Sequence, residues 1–346
     1  MNGKRARILL FFGLFLLILA GCNLPESVKT EQPSATPEIT EEPAEPTPTP
    51  TELPPQVKIV LITSGEASGV SENLENALES VCIAGFECRT ENSEEGIQTD
   101  TDFAVFAKEP TALSSLIQRF PDTRFILVTE PRRHVDGVWT IPYDAAFFPF
   151  LSGLATVSSA ADWRGAGLLP SDSALWGENA EASFINGARY LCGSCRSVVN
   201  PSLNFPMVIS LPVSTSPDAW TSQFSQIQPN TVNTAFLSEE AVSDALVQQL
   251  AQQEIRVLGT SNPPMGLENN WLATIRFDWA ETLEQIISRA NSGETEGSLP
   301  VILSITPGNL RESFSSGKAS TLQKAYQDLL SGLLSPYSPT AEYSGQ

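Results

Sequence analysis

Short apolar runs alternate with segments of helical periodicity from residue 57 onward, and that alternation restricts the fold more than any other feature of the chain. Residues 57–63 form a nearly continuous apolar run, the pattern of a strand covered on both faces. A loop over 64–69 follows, and then Leu74, Ala77, Leu78 and Val81 fall at helical spacing. Residues 86–90, 103–107, 125–128 and 138–141 read as further strands, with a helix opened by Pro110 and a turn at Pro121 and Asp122 among them. After a long apolar helix over 144–161 a second series begins. Its strands are expected at 165–169, 196–199, 232–236, 255–258, 271–276 and 299–305, with another apolar run at 206–211, and its helices at 179–191, 220–227, 239–252, 279–290 and 322–334. A strand–helix–strand succession lays the strands in a parallel sheet with helices on its faces. The fold class is therefore α/β, with two doubly wound, Rossmann-like lobes joined by a hinge. The first lobe takes residues 56–142 and about 278–297, the second takes 143–277 and about 298–335, and 336–346 form a tail.

The first 55 residues carry an address and a tether instead. Lys4, Arg5 and Arg7 precede an apolar stretch from Ile8 to Ala20, the layout of a secretory signal over residues 1–21. The stretch is shorter than the roughly 20 apolar residues a spanning helix needs. It ends in Leu19-Ala20-Gly21-Cys22, which resembles a bacterial lipoprotein box. On that likeness Cys22 would carry a diacylglyceryl thioether and acyl chains such as palmitate, placing the protein at the extracytoplasmic face of the cell membrane. Residues 22–55 are dominated by Pro, Thr and Glu and read as a disordered, semi-extended stalk, because proline removes donors and the glutamates repel each other. Acidic residues number 40 against 20 basic ones, a formal charge of −20. A duplex nucleic-acid partner would demand the opposite sign, so none is expected.

Several stretches of the folded part resemble the basic membrane protein (BMP) family of nucleoside-binding lipoproteins, within the periplasmic-binding-protein type I fold. Residues 120–128, from Phe120-Pro121-Asp122 into the apolar strand, are similar to the family's Tyr-Pro-Asp…Phe strand entry. Residues 144–155 resemble its Phe-Leu-Ala-Gly helix, and 181–190 followed by Val199-Asn200-Pro201 resemble its Gly-Ala-Lys helix and Asn-Pro ending. Leu272 to Arg276 is like its Leu-Thr-Ser-Val-Val-Lys strand, with Arg276 in place of the lysine. The chain departs from the family in the loop over 64–69, which has no aromatic residue, and at Thr129 and Thr260, which stand where the family has Asp near the ribose. The resemblance implies a monomeric solute-binding protein that delivers a small, nucleoside-like ligand to the permease of an ABC importer. The alternative is a sensory or interaction lipoprotein that kept the fold and lost the ligand site.

In open α/β sheets ligands sit beyond the carboxyl ends of the strands, and with two lobes that means the cleft between them. Ser64, Glu66 and Ser68 after the first strand, Lys108 after the third, and Thr129 and Glu130 after the fourth are the candidates of the first lobe. Asp172, Trp176, Ser238, Ser261, Arg276 and Phe277 are those of the second. Arg276 is expected as a buried guanidinium serving a neutral or weakly anionic ligand.

Cys82 and Cys88, and Cys192 and Cys195, lie between the first helix and second strand of their lobes. Export permits disulfides, and of the three connectivities the local one is expected, because a bridge between lobes would lock the hinge. A redox pair or a four-cysteine zinc site is the lesser reading, and no metal or cofactor is expected. Neither a Gly-x-Ser-x-Gly elbow nor a phosphate-binding Gly-x-x-x-x-Gly-Lys loop occurs, and the single histidine, His134, stands beside Arg132 and Arg133 in an expected surface turn. The chain is accordingly not read as an enzyme.

Overall fold

The computed structural model describes residues 56–63, 69–83, 85–310 and 314–337. The signal, the stalk and Cys22 lie outside the described residues, as do Ser64, Glu66, Ser68 and most of the tail. In chain order the first elements are β1 (Lys58–Ile62), α1 (Gly69–Ile83), β2 (Glu87–Glu91), β3 (Phe103–Phe106), α2 (Leu113–Arg119), β4 (Arg124–Thr129) and β5 (Trp139–Pro142). There follow α3 (Phe147–Ser159), β6 (Gly165–Pro170), α4 (Ala180–Cys192), β7 (Met207–Leu211), α5 (Pro217–Phe224), β8 (Thr234–Leu237), α6 (Asp244–Gln252) and β9 (Arg256–Gly259). The chain ends through β10 (Trp271–Asp278), α7 (Trp279–Asn291), β11 (Gly297–Ser298), β12 (Ile302–Pro307) and α8 (Ser316–Ser331).

The strands form two six-stranded sheets, β11-β5-β4-β3-β1-β2 and β12-β10-β9-β8-β6-β7. Every pairing is parallel except that of β12 with β10, which is antiparallel. The central strands are apolar along their length because helices cover both faces of each sheet. The same order thus appears twice, and the two doubly wound lobes of the sequence pattern are present. The chain passes between lobes after β5, between β10 and α7, and between β11 and β12. Helix α7 packs with the first lobe, its Leu283, Ile286 and Ile287 sharing a core with Leu74 and Leu78 of α1.

Helix α3 is buried at twelve of its thirteen positions. It fits because α4 approaches it backbone to backbone at Gly153 and Gly187. A Cβ on Gly153 would meet the carbonyl oxygen of Phe184, and one on Gly187 that of Phe150. Phe147, Leu151 and Leu154 then share a core with Leu322, Tyr326 and Leu329 of α8.

Three expected elements differ. Residues 196–199 form no strand beyond an isolated bridge from Arg196 to Asn204. Instead the Asp162 carboxylate gathers the segment, accepting from the Ser197 hydroxyl and from the amides of Val198 (2.9 Å) and Val199 (3.1 Å). The expected helix over 239–252 divides into a 3-10 turn, Glu239–Ala241, and α6, because the Ser243 side chain caps α6 by accepting from the Leu246 amide at 3.2 Å. The expected strand over 299–305 starts later, as β12 (Ile302–Pro307), which pairs with β10 in the second sheet, while Gly297 and Ser298 just before the run form β11 on β5 of the first sheet, so the lobe crossing falls between them.

Cys82 is bridged to Cys88 at the end of α1, and Cys192 to Cys195 at the end of α4. Among the described residues no helix is long and apolar enough to cross a membrane, and no cluster of three or more ligating side chains could hold a metal ion.

Candidate functional site

The carboxyl ends of β6, β8, β9 and β10 face the first turns of α1 and α7 across a cleft of about 370 Å³. Its apolar walls are Tyr143, Phe148, Leu175, Trp176, Phe277 and Trp279. These rings support one another. The Phe148 centroid lies 5.1 Å from Trp176 and 5.3 Å from Phe277, and Tyr143 meets Trp279 edge-on at 4.9 Å. Such pairs hold their geometry beyond simple area burial, so the walls are fixed before anything binds.

Tyr143 stands directly after β5, where the chain leaves the first lobe. Its hydroxyl donates to the carbonyl of Leu175 in the second lobe at 3.3 Å. Burial, with a lesser contribution from Asp144, pushes the phenol well above its ordinary range and keeps it a neutral donor. The same ring also borders two neighbouring recesses.

The polar side of the cleft comes from Asn73, Glu239, Glu240, Thr260, Ser261, Asn262 and Arg276. Two of its atoms are buried without a hydrogen-bond partner: Oε2 of Glu240 and Oγ1 of Thr260. Buried acceptors and hydroxyls are ordinarily paired, and an unmet one costs free energy that a ligand group can recover. Glu239 and Glu240 are placed here because Ser238, directly after β8, is in extended backbone and a single 3-10 turn follows.

Of the residues singled out from sequence, Trp176, Ser261, Arg276 and Phe277 meet in this cleft. Trp176 is also core, only 4% exposed. Arg276 is not buried: its side chain is 55% exposed, with the guanidinium 3.8 Å from Asp278 at the rim. The guanidinium therefore stays solvated and has a carboxylate beside it, because β10 runs on past Ile275 toward the surface. Lys108, Thr129 and Glu130 line a separate recess of about 520 Å³ at the ends of β3 and β4, where Arg133 pairs with Glu109 at 2.5 Å. Asp172 does not line the cleft but holds a turn, accepting from the Val213 amide at 2.7 Å. Ser238 is fully buried and does not line the cleft. His134 sits on an exposed turn with Nε2 3.0 Å from Asp136.

Sequence reasoning passed over Tyr143, Phe148, Trp279, Glu239, Glu240 and Asn73 as site residues. The available signal was position: Glu239 and Glu240 follow a strand directly, as site residues of this architecture do, but acidic residues also suit the first turn of a helix.

No family model and no curated protein matches the chain. Solved structures do. The chain is similar to an ABC transporter solute-binding protein from Conexibacter woesei (14% identity, TM-score 0.47, covering 81% of this chain and 98% of that one). It is similar to a solute-binding protein of an ABC transporter system from Aeropyrum pernix (12%, 0.48, covering 81% and 92%). It is equally similar to a transcriptional activator of the comK gene from Bacillus halodurans (12%, 0.48, covering 82% and 100%). Proteins of different roles thus match alike, and the likeness singles out no role.

Proposed function

We propose that the chain is an extracytoplasmic, lipid-anchored solute-binding protein that holds a small, flat polar solute in the cleft between its lobes and presents it to an ABC importer. The observation that carries this reading is the pairing of a pre-formed aromatic wall with the unmet polar atoms of Glu240 and Thr260. A stacked ring that donates to Glu240 and Thr260 would satisfy both features at once. Nucleosides, the ligands that the BMP resemblance implies, belong to this class. The importer and the anchor rest on that resemblance and on the lipoprotein box at Cys22.

A thermal-shift screen of nucleosides, nucleobases, amides, sugars and heterocyclic amines tests the proposal. A ligand at 100 times its dissociation constant stabilises the fold by about 2.7 kcal/mol. A member of the panel should raise the melting temperature, and Trp279→Ala should abolish the shift. Binding undiminished by Trp279→Ala would place the solute elsewhere. No shift with any compound would refute solute binding and favour the sensory alternative.

A further inference from the structure

We infer that the solute taken by this cleft is an organic cation, a flat amidinium or ring-protonated amine rather than a neutral or anionic molecule. The inference rests on the solute-binding reading above and specifies the charge of the ligand. Glu239 and Glu240 line the cleft against a single cation, Arg276, which leaves a net charge of −1. Arg276 also has Asp278 beside it, so its charge is already answered at the rim. Neither glutamate has an ion-pair partner among the described residues, and Oε2 of Glu240 is buried with no donor.

A neutral ligand could donate to that oxygen but would leave the charge of the cleft uncompensated. An anion would meet the half-buried Glu240 carboxylate, where repulsion is stronger than in water, with the exposed Glu239 carboxylate beside it. A cation supplies charge-assisted hydrogen bonds to Glu240 and gains from aromatic faces, the most effective being indole. Trp176 and Trp279 provide two such rings in the same walls. Aromatic walls alone would suit any flat solute; it is the unmet carboxylate among them that selects for positive charge.

Matched pairs separate charge from shape. Benzamidine with benzamide, and 1-methyladenosine with adenosine, differ chiefly in carrying or lacking a positive charge at pH 7. Titration calorimetry on the purified protein should show the cation of each pair binding roughly tenfold more tightly, equivalent to about 1.4 kcal/mol. Glu240→Gln, and separately Glu239→Gln, should shrink that gap, whereas Arg276→Ala should widen it by removing a like charge from the rim. Neutral members that bind as tightly as their cations would overturn the charge assignment while leaving solute binding intact. A gap unchanged in both glutamate variants would overturn it too. If no compound of either charge binds, the charge assignment and the solute-binding reading fall together.

Discussion

Replacing the two unmet polar groups of the cleft should make the protein more stable and less able to bind. In Glu240→Met with Thr260→Val, side chains of similar volume replace Oε2 and Oγ1, the two cleft atoms buried without partners. An unsatisfied buried polar atom costs about 1–3 kcal/mol. Both residues are only half-buried, so the low end applies, and together the changes should stabilise by about 2–3 kcal/mol. An unfolding entropy of about 2.1 cal/mol/K per residue over about 280 residues gives roughly 0.6 kcal/mol/K, so the melting temperature should rise by about 3–5 °C. Differential scanning calorimetry of the unliganded protein reads the rise, and titration with whichever solute the screen returns reads the loss of affinity. Stability gained at the expense of binding is the expected mark of a functional site. An unchanged or lowered melting temperature would show that the two atoms carry no desolvation cost. Undiminished affinity would show that the solute does not use them.

Cys22→Ala should leave the precursor unprocessed or release the protein from the membrane fraction, and a variant still membrane-bound at mature mass would exclude the lipid anchor. Gly153→Ala should destabilise toward the upper end of the usual 1–3 kcal/mol for overpacking, about 5 °C in melting temperature, because the added methyl meets a backbone carbonyl that cannot swing away. Gly317→Ala, whose methyl would meet only the Ser315 hydroxyl at 3.7 Å, is the control and should not destabilise. Tyr337 donates to Asp144 at 2.9 Å, and burial together with that carboxylate pushes its phenol up to about 12. A phenol raised in the folded state contributes stability that is complete below its ordinary value of 10.0 and lost as pH rises toward about 12. The melting temperatures of wild type and Tyr337→Phe should therefore converge across that window; a constant difference would mean the phenol does not titrate with unfolding.

The lobes were legible because strands covered on both faces must be apolar throughout, as 57–63 and 125–128 are, and because Leu74, Ala77, Leu78 and Val81 mark one face of a helix. The errors arose where a local hydrogen bond outweighs the pattern. Asp162 draws 197–199 into a turn although Val198 and Val199 have high strand propensity, and the cap at Ser243 ends a helical reading that Glu239 and Glu240 would otherwise begin. That second error hid the acidic side of the cleft. Arg276 was read as buried because an apolar strand precedes it, yet β10 emerges at the surface just there. Phe148 falls inside the long apolar helix of the sequence pattern and Tyr143 between that helix and the strand before it, and only the crossing of the chain between lobes turns them into walls.

The position of the cleft follows from topology more than from any single residue. In the second sheet β6 and β8 are neighbours, but their following helices go to opposite faces. Helix α4 sends Phe184 into a core with Leu151 and Tyr326, whereas α6 sends Leu246 and Leu250 into one with Trp220 and Phe224. Loops that part to opposite faces leave a crevice at the carboxyl ends of the two strands. Trp176 stands on the loop after β6, and Glu239 with Glu240 on the loop after β8. The crossing after β5 then sets Tyr143 beside that crevice, in contact with Leu175 of one lobe and Trp279 of the other. A solute held there would touch Tyr143, the residue at which the chain crosses from the first lobe to the second.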